Sequence, residues 1–582
     1  MSHGVTYPPF FGAHAGRGTA STARVIRRFE PRYWTVDHPL TASASVITLG
    51  DDALRLTATL RTRGDTVGLK WESEDHWNAK ACRWLTSGNY LGTVLQLNYA
   101  LTGLPRLDDA DGLVLSVEDD AGAAYYVRLA NYVIAGGGGT SGTIRLDFAG
   151  PVYGGYDITD GAQRQVIPWH RISSVFFGVS PADYEEGSSA PITPLDVTIE
   201  LSEITVTGSF STLKRTEIEV QPHRLRMTDG YDDAYLLTPQ RIVEGIWQLG
   251  YRDWYVIYVG ASHLHELVYD AGEGRLVVDP AQPVSAASRA WFEDLFARLT
   301  ARGYRIVLSQ SYEILASICP TAWQQADQAG AGARTGWSPP STLISPCSTA
   351  ALGYLRGIAD WLLGAVSAAG GALYYQIGEP WWWDGSFGGG GPCIYDAATT
   401  ALYTAETGLP VPTPRITSST QAIGIHAAYL AWLGDKLGAS TLWLRDEMRT
   451  AHPGVTVLLL VFTPQVLMPG APILTAINLP VERWSHPAFD LLQLEDYDWV
   501  TAEEWALHET TLDAGTVALG YPLDHLHYFA GFNLLPEDAA AVWPRILRAV
   551  GDGLTWDVAE TFVWARPQIW RDGWMYPTGV LA

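Results

Sequence analysis

Beyond a connector around Ser209 to Gln221, eight short apolar runs alternate with segments of helix length, and this alternation limits the chain more than any other feature. Strands separated by helices pair in parallel, and eight of them can close into a barrel. The runs are Leu225 to Met227, Trp254 to Val259, Arg305 to Gln310, Leu373 to Ile377, Val455 to Phe462, Leu491 to Leu494, His525 to Phe529 and Thr561 to Trp564. Helical segments are expected at Pro239 to Leu249, Ala286 to Ala301, Thr349 to Ala368, Thr420 to Leu437, Thr501 to His508 and Pro536 to Val550. A (β/α)8 barrel is therefore expected over 211–582. Two insertions, Pro320 to Pro346 and Trp383 to Pro414, stretch it beyond the usual ~250 residues and follow strands, which puts them on the catalytic face.

The front of the chain reads differently. Residues 1–35 are rich in Gly, Pro and Arg and predict an extended arm. Over 36–210 short alternating runs are bounded by turn residues: Leu54 to Leu60, Thr93 to Tyr99, Gly112 to Val117, Tyr125 to Leu129, Thr143 to Phe148, Ser173 to Val179 and Val197 to Leu201. That spacing predicts an all-β sandwich. The stretch Leu195 to Gly208 looks like the closing strands of a jelly roll of the carbohydrate-binding type.

Composition narrows the function. A chain of 582 residues exceeds what one core organises, and 47% hydrophobic residues with 24 Trp and 28 Tyr exclude disorder. A net charge of -24 argues against nucleic acid as a partner. No run reaches the ~18 apolar residues of a membrane span, so no membrane insertion is expected. The first residues carry neither a basic patch nor an apolar stretch, so no signal peptide is read there. Cys82, Cys319, Cys347 and Cys393 form no C-x-x-C pair; free thiols are the simplest reading, with a Cys319–Cys347 bridge as the alternative. The pairs His263/His265 and His525/His527 lack the further ligands a metal site needs, and neither a phosphate loop nor a G-x-S-x-G elbow occurs. No metal and no cofactor are expected.

Chemistry concentrates at two strand ends. Tyr374 to Trp383 reads Tyr-Tyr-Gln-Ile-Gly-Glu-Pro-Trp-Trp-Trp, an apolar strand that meets the carboxylate Glu379 and then the indoles Trp381, Trp382 and Trp383. Leu492 to Trp499 reads Leu-Gln-Leu-Glu-Asp-Tyr-Asp-Trp and brings Glu495, Asp496, Asp498 and Trp499 to the end of the sixth run. Glycoside hydrolysis needs two carboxyl groups roughly 5 to 9 Å apart, and Glu379 with Glu495 is the candidate catalytic pair. The Trp side chains named, with Trp564, Asp496 and Asp498, are the candidate glycan contacts; packing or protein contacts are the alternative use of the same indoles.

Gly378-Glu379-Pro380 resembles the Asn-Glu-Pro acid/base motif of the large barrel glycosidase clan. Two departures stand out: Gly378 replaces the Asn that binds the sugar 2-hydroxyl, and no Glu follows the seventh strand in His525 to Asn533. Together with the jelly-roll-like front, the two phrases resemble the non-contractile tail sheath proteins of long-tailed phages. The resemblance spans nearly the whole chain and implies a sheath domain followed by a glycosidase-like TIM barrel. It further implies a structural virion protein, assembled in the host cytoplasm, with the tail tube protein and copies of itself as partners. A host surface glycan is a further candidate partner. An active glycoside hydrolase with an accessory β-domain, or an adhesin that binds glycan without cleaving it, remain the competing classes.

Overall fold

The computed structural model describes residues 19–84, 87–150, 152–336, 338–385, 390–532 and 535–576. The first part of the expected arm, residues 1–18, and Asn533 lie outside the described residues. From Thr19 the chain is a strand: Thr19–Arg27 pairs antiparallel with Thr212–Val220, the segment that leads into the barrel.

Two antiparallel sheets follow. One has six strands in the order Ser43–Gly50, Ala53–Thr62, Pro191–Gly208, Thr93–Thr102, Ser141–Asp147 and Val133–Ala135; the other has five, Thr35–Asp37, Val67–Glu72, Ile172–Val179, Val114–Asp119 and Ala124–Arg128. Alternation places Leu54, Leu56 and Leu60 of the first sheet and Leu69, Trp71 and Phe177 of the second in one buried cluster, so the sheets form a sandwich over a shared core. Ser43–Gly50 and Val67–Glu72 were not expected as strands. The first is buried along most of its length and lacks the alternation that marked the others.

The barrel closes from eight parallel strands: β1 (Leu225–Gly230), β2 (Trp254–Val259), β3 (Arg305–Ser311), β4 (Leu373–Gly378), β5 (Thr456–Phe462), β6 (Leu491–Glu495), β7 (Leu526–Ala530) and β8 (Glu560–Val563). Their sequences are continuous apolar runs because both faces are covered; β5 reads Thr-Val-Leu-Leu-Leu-Val-Phe with every residue after Thr456 buried. Trp254, Val256, Val307, Leu458, Leu460, Phe529 and Phe562 pack as a plug inside the barrel, which leaves its C-terminal mouth as the place for a cavity. Helices start where side-chain caps allow. Thr238 caps Pro239–Gln248, Ser285 caps Ala286–Ala301 and Ser348 caps Thr349–Ala368, each accepting a backbone N–H three residues on. Within the Trp383 to Pro414 insertion a further helix forms, Ala397–Thr407, capped by Asp396. None of the four cysteines is paired.

Sandwich and barrel share a polar seam. Helix Ala286–Ala301 lies on strand Ser43–Gly50, where the Ser45 hydroxyl donates to the Ala287 carbonyl at 2.7 Å. Arg32 pairs with Glu244 at 2.6 Å, and Arg241 reaches Asp75 at 2.7 Å and Asn78 at 2.9 Å. Leu40 of the sandwich reaches far enough to line the cavity at the barrel mouth.

Candidate functional site

The cavity at the C-terminal ends of the strands has a volume of about 440 Å³. Glu379 follows β4 with φ +48°, a left-handed backbone that costs a non-glycine residue roughly 1–2 kcal/mol. The turn aims its carboxyl into the cavity, where the Tyr258 hydroxyl at the end of β2 and the Ser311 hydroxyl at the end of β3, the latter at 2.7 Å, both donate to Oε2. Glu313, two residues beyond β3, accepts from Tyr258 at 3.2 Å and hydrogen-bonds Glu379. Glu495 ends β6 and faces the same space.

No lysine or arginine lines this cavity among the described residues. Burial, with the charge of Glu379, pushes Glu313 up to about 8. Burial also raises Glu379, and it raises Glu495 well above the usual carboxylate range, with Glu379, Asp498 and Asp496 adding to the effect. Glu313 and Glu379, hydrogen-bonded to each other without a cation beside them, cannot both ionise readily and share a proton.

Aromatic rings continue around the mouth. Trp381 meets Phe462 at 5.9 Å, Phe462 stacks on Tyr497 at 4.7 Å, Tyr497 meets Phe532 at 5.3 Å, Phe532 meets Trp564 at 6.1 Å, and Trp564 meets Tyr258 at 6.1 Å. The peptide bonds Gly531–Phe532 and Trp564–Ala565 at this rim are cis.

Of the residues singled out in the sequence, Glu379, Glu495, Trp564 and His263 line the cavity. Trp382 does not: it is fully buried, its indole N–H donates to the Leu433 carbonyl, and its backbone N–H donates to Asn478. Trp381 is 6% exposed and packs on Phe462 and Leu343, while Trp383 is half-buried beside it. Asp496 turns away from its neighbour Glu495, as successive residues at a strand end do, and accepts from Tyr528 at 2.8 Å and Thr511 at 2.8 Å while contacting His508 at 2.6 Å. Asp498 is exposed, and Trp499 is buried in the short helix Tyr497–Thr501. Sequence reasoning missed Tyr258, Ser311, Glu313, Tyr497, Phe532 and Gln568. Glu313 was findable, as a carboxylate immediately beyond a barrel strand; the hydroxyls carry no comparable signal.

The glycosidase-like motif is sterically altered as well as substituted. A side chain at Gly378 would place its first carbon 2.9 Å from the Ser309 hydroxyl and 3.2 Å from the Gln310 carbonyl, leaving no ready room for Asn. At the end of β7 the cavity receives Phe529 and Phe532. One histidine of each pair, His265 and His527, is buried in the packing, whereas His263 lines the cavity and His525 lies at the surface against Asp524. His265 contacts the Gly260 carbonyl and the Tyr354 hydroxyl, and burial lowers His527 to about 3. No group of three or more His, Cys, Asp or Glu side chains is arranged to hold a metal ion among the described residues.

Solved structures similar to this chain include a β-galactosidase from the psychrophilic Marinomonas ef1 (12% identity, 59% of this chain and 54% of that one, TM-score 0.36) and one from Bacillus circulans sp. alkalophilus (12%, 59% and 50%, TM-score 0.38). A GH18 chitinase from Pseudoalteromonas aurantia matches at 10% identity over 60% of this chain and 97% of the other, TM-score 0.25. The chain spans about half the length of the two galactosidases, and these scores assign no chemistry. Family models match far more of the sequence. Residues 26–216 match the non-contractile tail sheath N-terminal domain, and residues 221–574 match the non-contractile tail sheath protein TIM barrel. The two matches meet where the sandwich ends and β1 is about to begin, and a chain built of both domains in that order belongs to the non-contractile tail sheath protein family.

Proposed function

We propose that this chain is a structural subunit of a long-tailed phage that clads the non-contractile tail tube, contacting the tube protein and copies of itself, with a barrel that does not hydrolyse sugar. The observation that carries the reading is the succession of two sheath-domain matches along one chain. A family of this kind implies a virion component, and no described helix is long and apolar enough to cross a membrane.

The sandwich supports the partner assignment. Tyr126 (60% exposed), Ile134, Tyr156 and Val166 (74%) all lie within residues 124–166, with Tyr126 and Ile134 on the edge strands of the two sheets. Exposed apolar side chains gathered at the margins of both sheets favour contact with a neighbouring chain. The carboxyl cluster supports the catalytic half of the proposal. Glu495, the residue singled out in the sequence to stand in for the missing seventh-strand carboxylate, is raised well above the usual carboxylate range by burial and then by Glu379, Asp498 and Asp496, which disfavours the anion a nucleophile needs.

Imaging of native particles tests the assignment. The expected result is stacked rings of this chain around the tail tube. A purified monomer that turns over an oligosaccharide, and loses turnover in Glu379→Gln, would overturn the catalytic half.

A further inference from the structure

Two polar side chains facing the barrel cavity lack the partners that burial ordinarily demands. Glu495 is 8% exposed and lines the cavity, yet its carboxyl has no hydrogen bond among the described residues. Gln568, 9% exposed and on the same wall, has an unpartnered amide oxygen. Buried polar groups in folded proteins are almost always paired, and the Glu495 carboxyl, open to the cavity rather than sealed from it, is free to take its contacts from a ligand. The charge balance points the same way. Asp232, Asp233, Glu313, Glu379 and Glu495 line one cavity without a lysine or arginine, while His263 is engaged by Asp232 and Ser262.

We infer that this cavity binds a pyranose ring carrying a protonated amine, with the ammonium directed at Glu495 and the Glu379–Glu313 pair, ring hydroxyls at Gln568, and a ring face on the aromatic wall of Trp564, Tyr258 and Phe532. Three features select this class. Glu495 and the Glu379–Glu313 pair have no cation beside them, a place an ammonium fills, whereas Asp232 is already engaged by His263 and Ser262; burial is the first cause that raises Glu313 and Glu495. The neutral Gln568 amide calls for hydroxyl groups. The rings around the mouth suit both a cation and the C–H face of a sugar. A metal ion is disfavoured because no three acidic or histidine side chains among the described residues are arranged to hold one. A volume of about 440 Å³ lies within the range of small-molecule sites.

The inference goes beyond the sheath assignment and concerns the isolated subunit, so it stands or falls whether or not the chain wraps a tube. Calorimetric titration of the full-length chain with a glucosamine disaccharide, its N-acetylated counterpart and the corresponding glucose disaccharide tests it. The amino sugar is expected to bind at least about tenfold more tightly than either uncharged sugar. Glu495→Gln is expected to remove that preference, and Gln568→Ala to weaken the amino sugar several-fold, in proteins whose melting temperatures show them folded. Equal affinity for the three sugars, absence of binding by the amino sugar at tens of millimolar, or an undiminished preference in folded Glu495→Gln would each overturn it.

Discussion

Arg241 of the barrel and Asp75 of the sandwich form an ion pair at 2.7 Å across the domain seam, with side chains only 1% and 0% exposed. Asn78 and the Tyr33 carbonyl take further guanidinium N–H groups, so the charge is fully engaged. Removing one partner of such a pair strands the other in a dry interior, which costs about 3–5 kcal/mol. Arg241→Ala should therefore lower the denaturation midpoint sharply and separate barrel from sandwich unfolding. Arg63→Ala, which breaks a half-exposed pair with Asp183 on the sandwich, should cost less than about 1 kcal/mol. Chemical denaturation followed by tryptophan fluorescence checks both.

The pH dependence of stability should carry the mark of Glu313. Its carboxyl ionises near the ordinary 4.5 in the unfolded chain but only near 8 in the fold, because of burial and then Glu379. Between those values the unfolded state loses a proton that the folded state keeps. Stability from this group is thus fully present below about pH 4.5 and declines until pH passes about 8. Glu313→Gln should remove the decline: the variant's stability should gain on the parent as pH rises from 5 to 8, by on the order of 3 kcal/mol, and its melting temperature should rise relative to the parent's over the same range. Thermal melts at several pH values check the slope, and a variant that tracked the parent at every pH would refute it.

Much of the barrel was legible because strands buried on both faces read as unbroken apolar runs. Leu373 to Ile377 and Leu491 to Leu494 lie within β4 and β6 for that reason. The cavity was less legible. Glu379 and Glu495 announce themselves as carboxylates at strand ends, but Glu313 begins a short strand, Glu313–Leu315, that pairs with Ser341–Leu343 inside an insertion. Only folding brings it beside Glu379. The departure at Gly378 was visible in the sequence, whereas its steric cause, the approach of β3, was not.

That approach predicts the outcome of restoring the motif. Gly378→Asn should not create glycosidase activity, because the new side chain must displace the Ser309 hydroxyl and crowd the Gln310 carbonyl. Overpacking of this kind costs roughly 1–3 kcal/mol. A measurable drop in melting temperature with no hydrolysis of aryl glycosides is the expected result; gain of turnover would show that Gly378 alone had silenced the site.

The run of indoles at 381–383 separates packing from recognition. Trp382 fills the core between β4 and helix Ala427–Ala451, with its N–H on Leu433, whereas Trp564 stands half-buried at the cavity rim. Truncation of a buried Trp costs about 3–5 kcal/mol through lost transfer energy and the void left behind. Trp382→Ala should therefore lower the melting temperature strongly and affect any ligand only through loss of fold. Trp564→Ala removes a ring that already borders open space, so it should destabilise less while widening the mouth. Thermal melts together with sugar titrations at a temperature where both variants are folded distinguish the two. If folded Trp382→Ala lost binding while Trp564→Ala kept it, the assignment of these indoles would have to be exchanged.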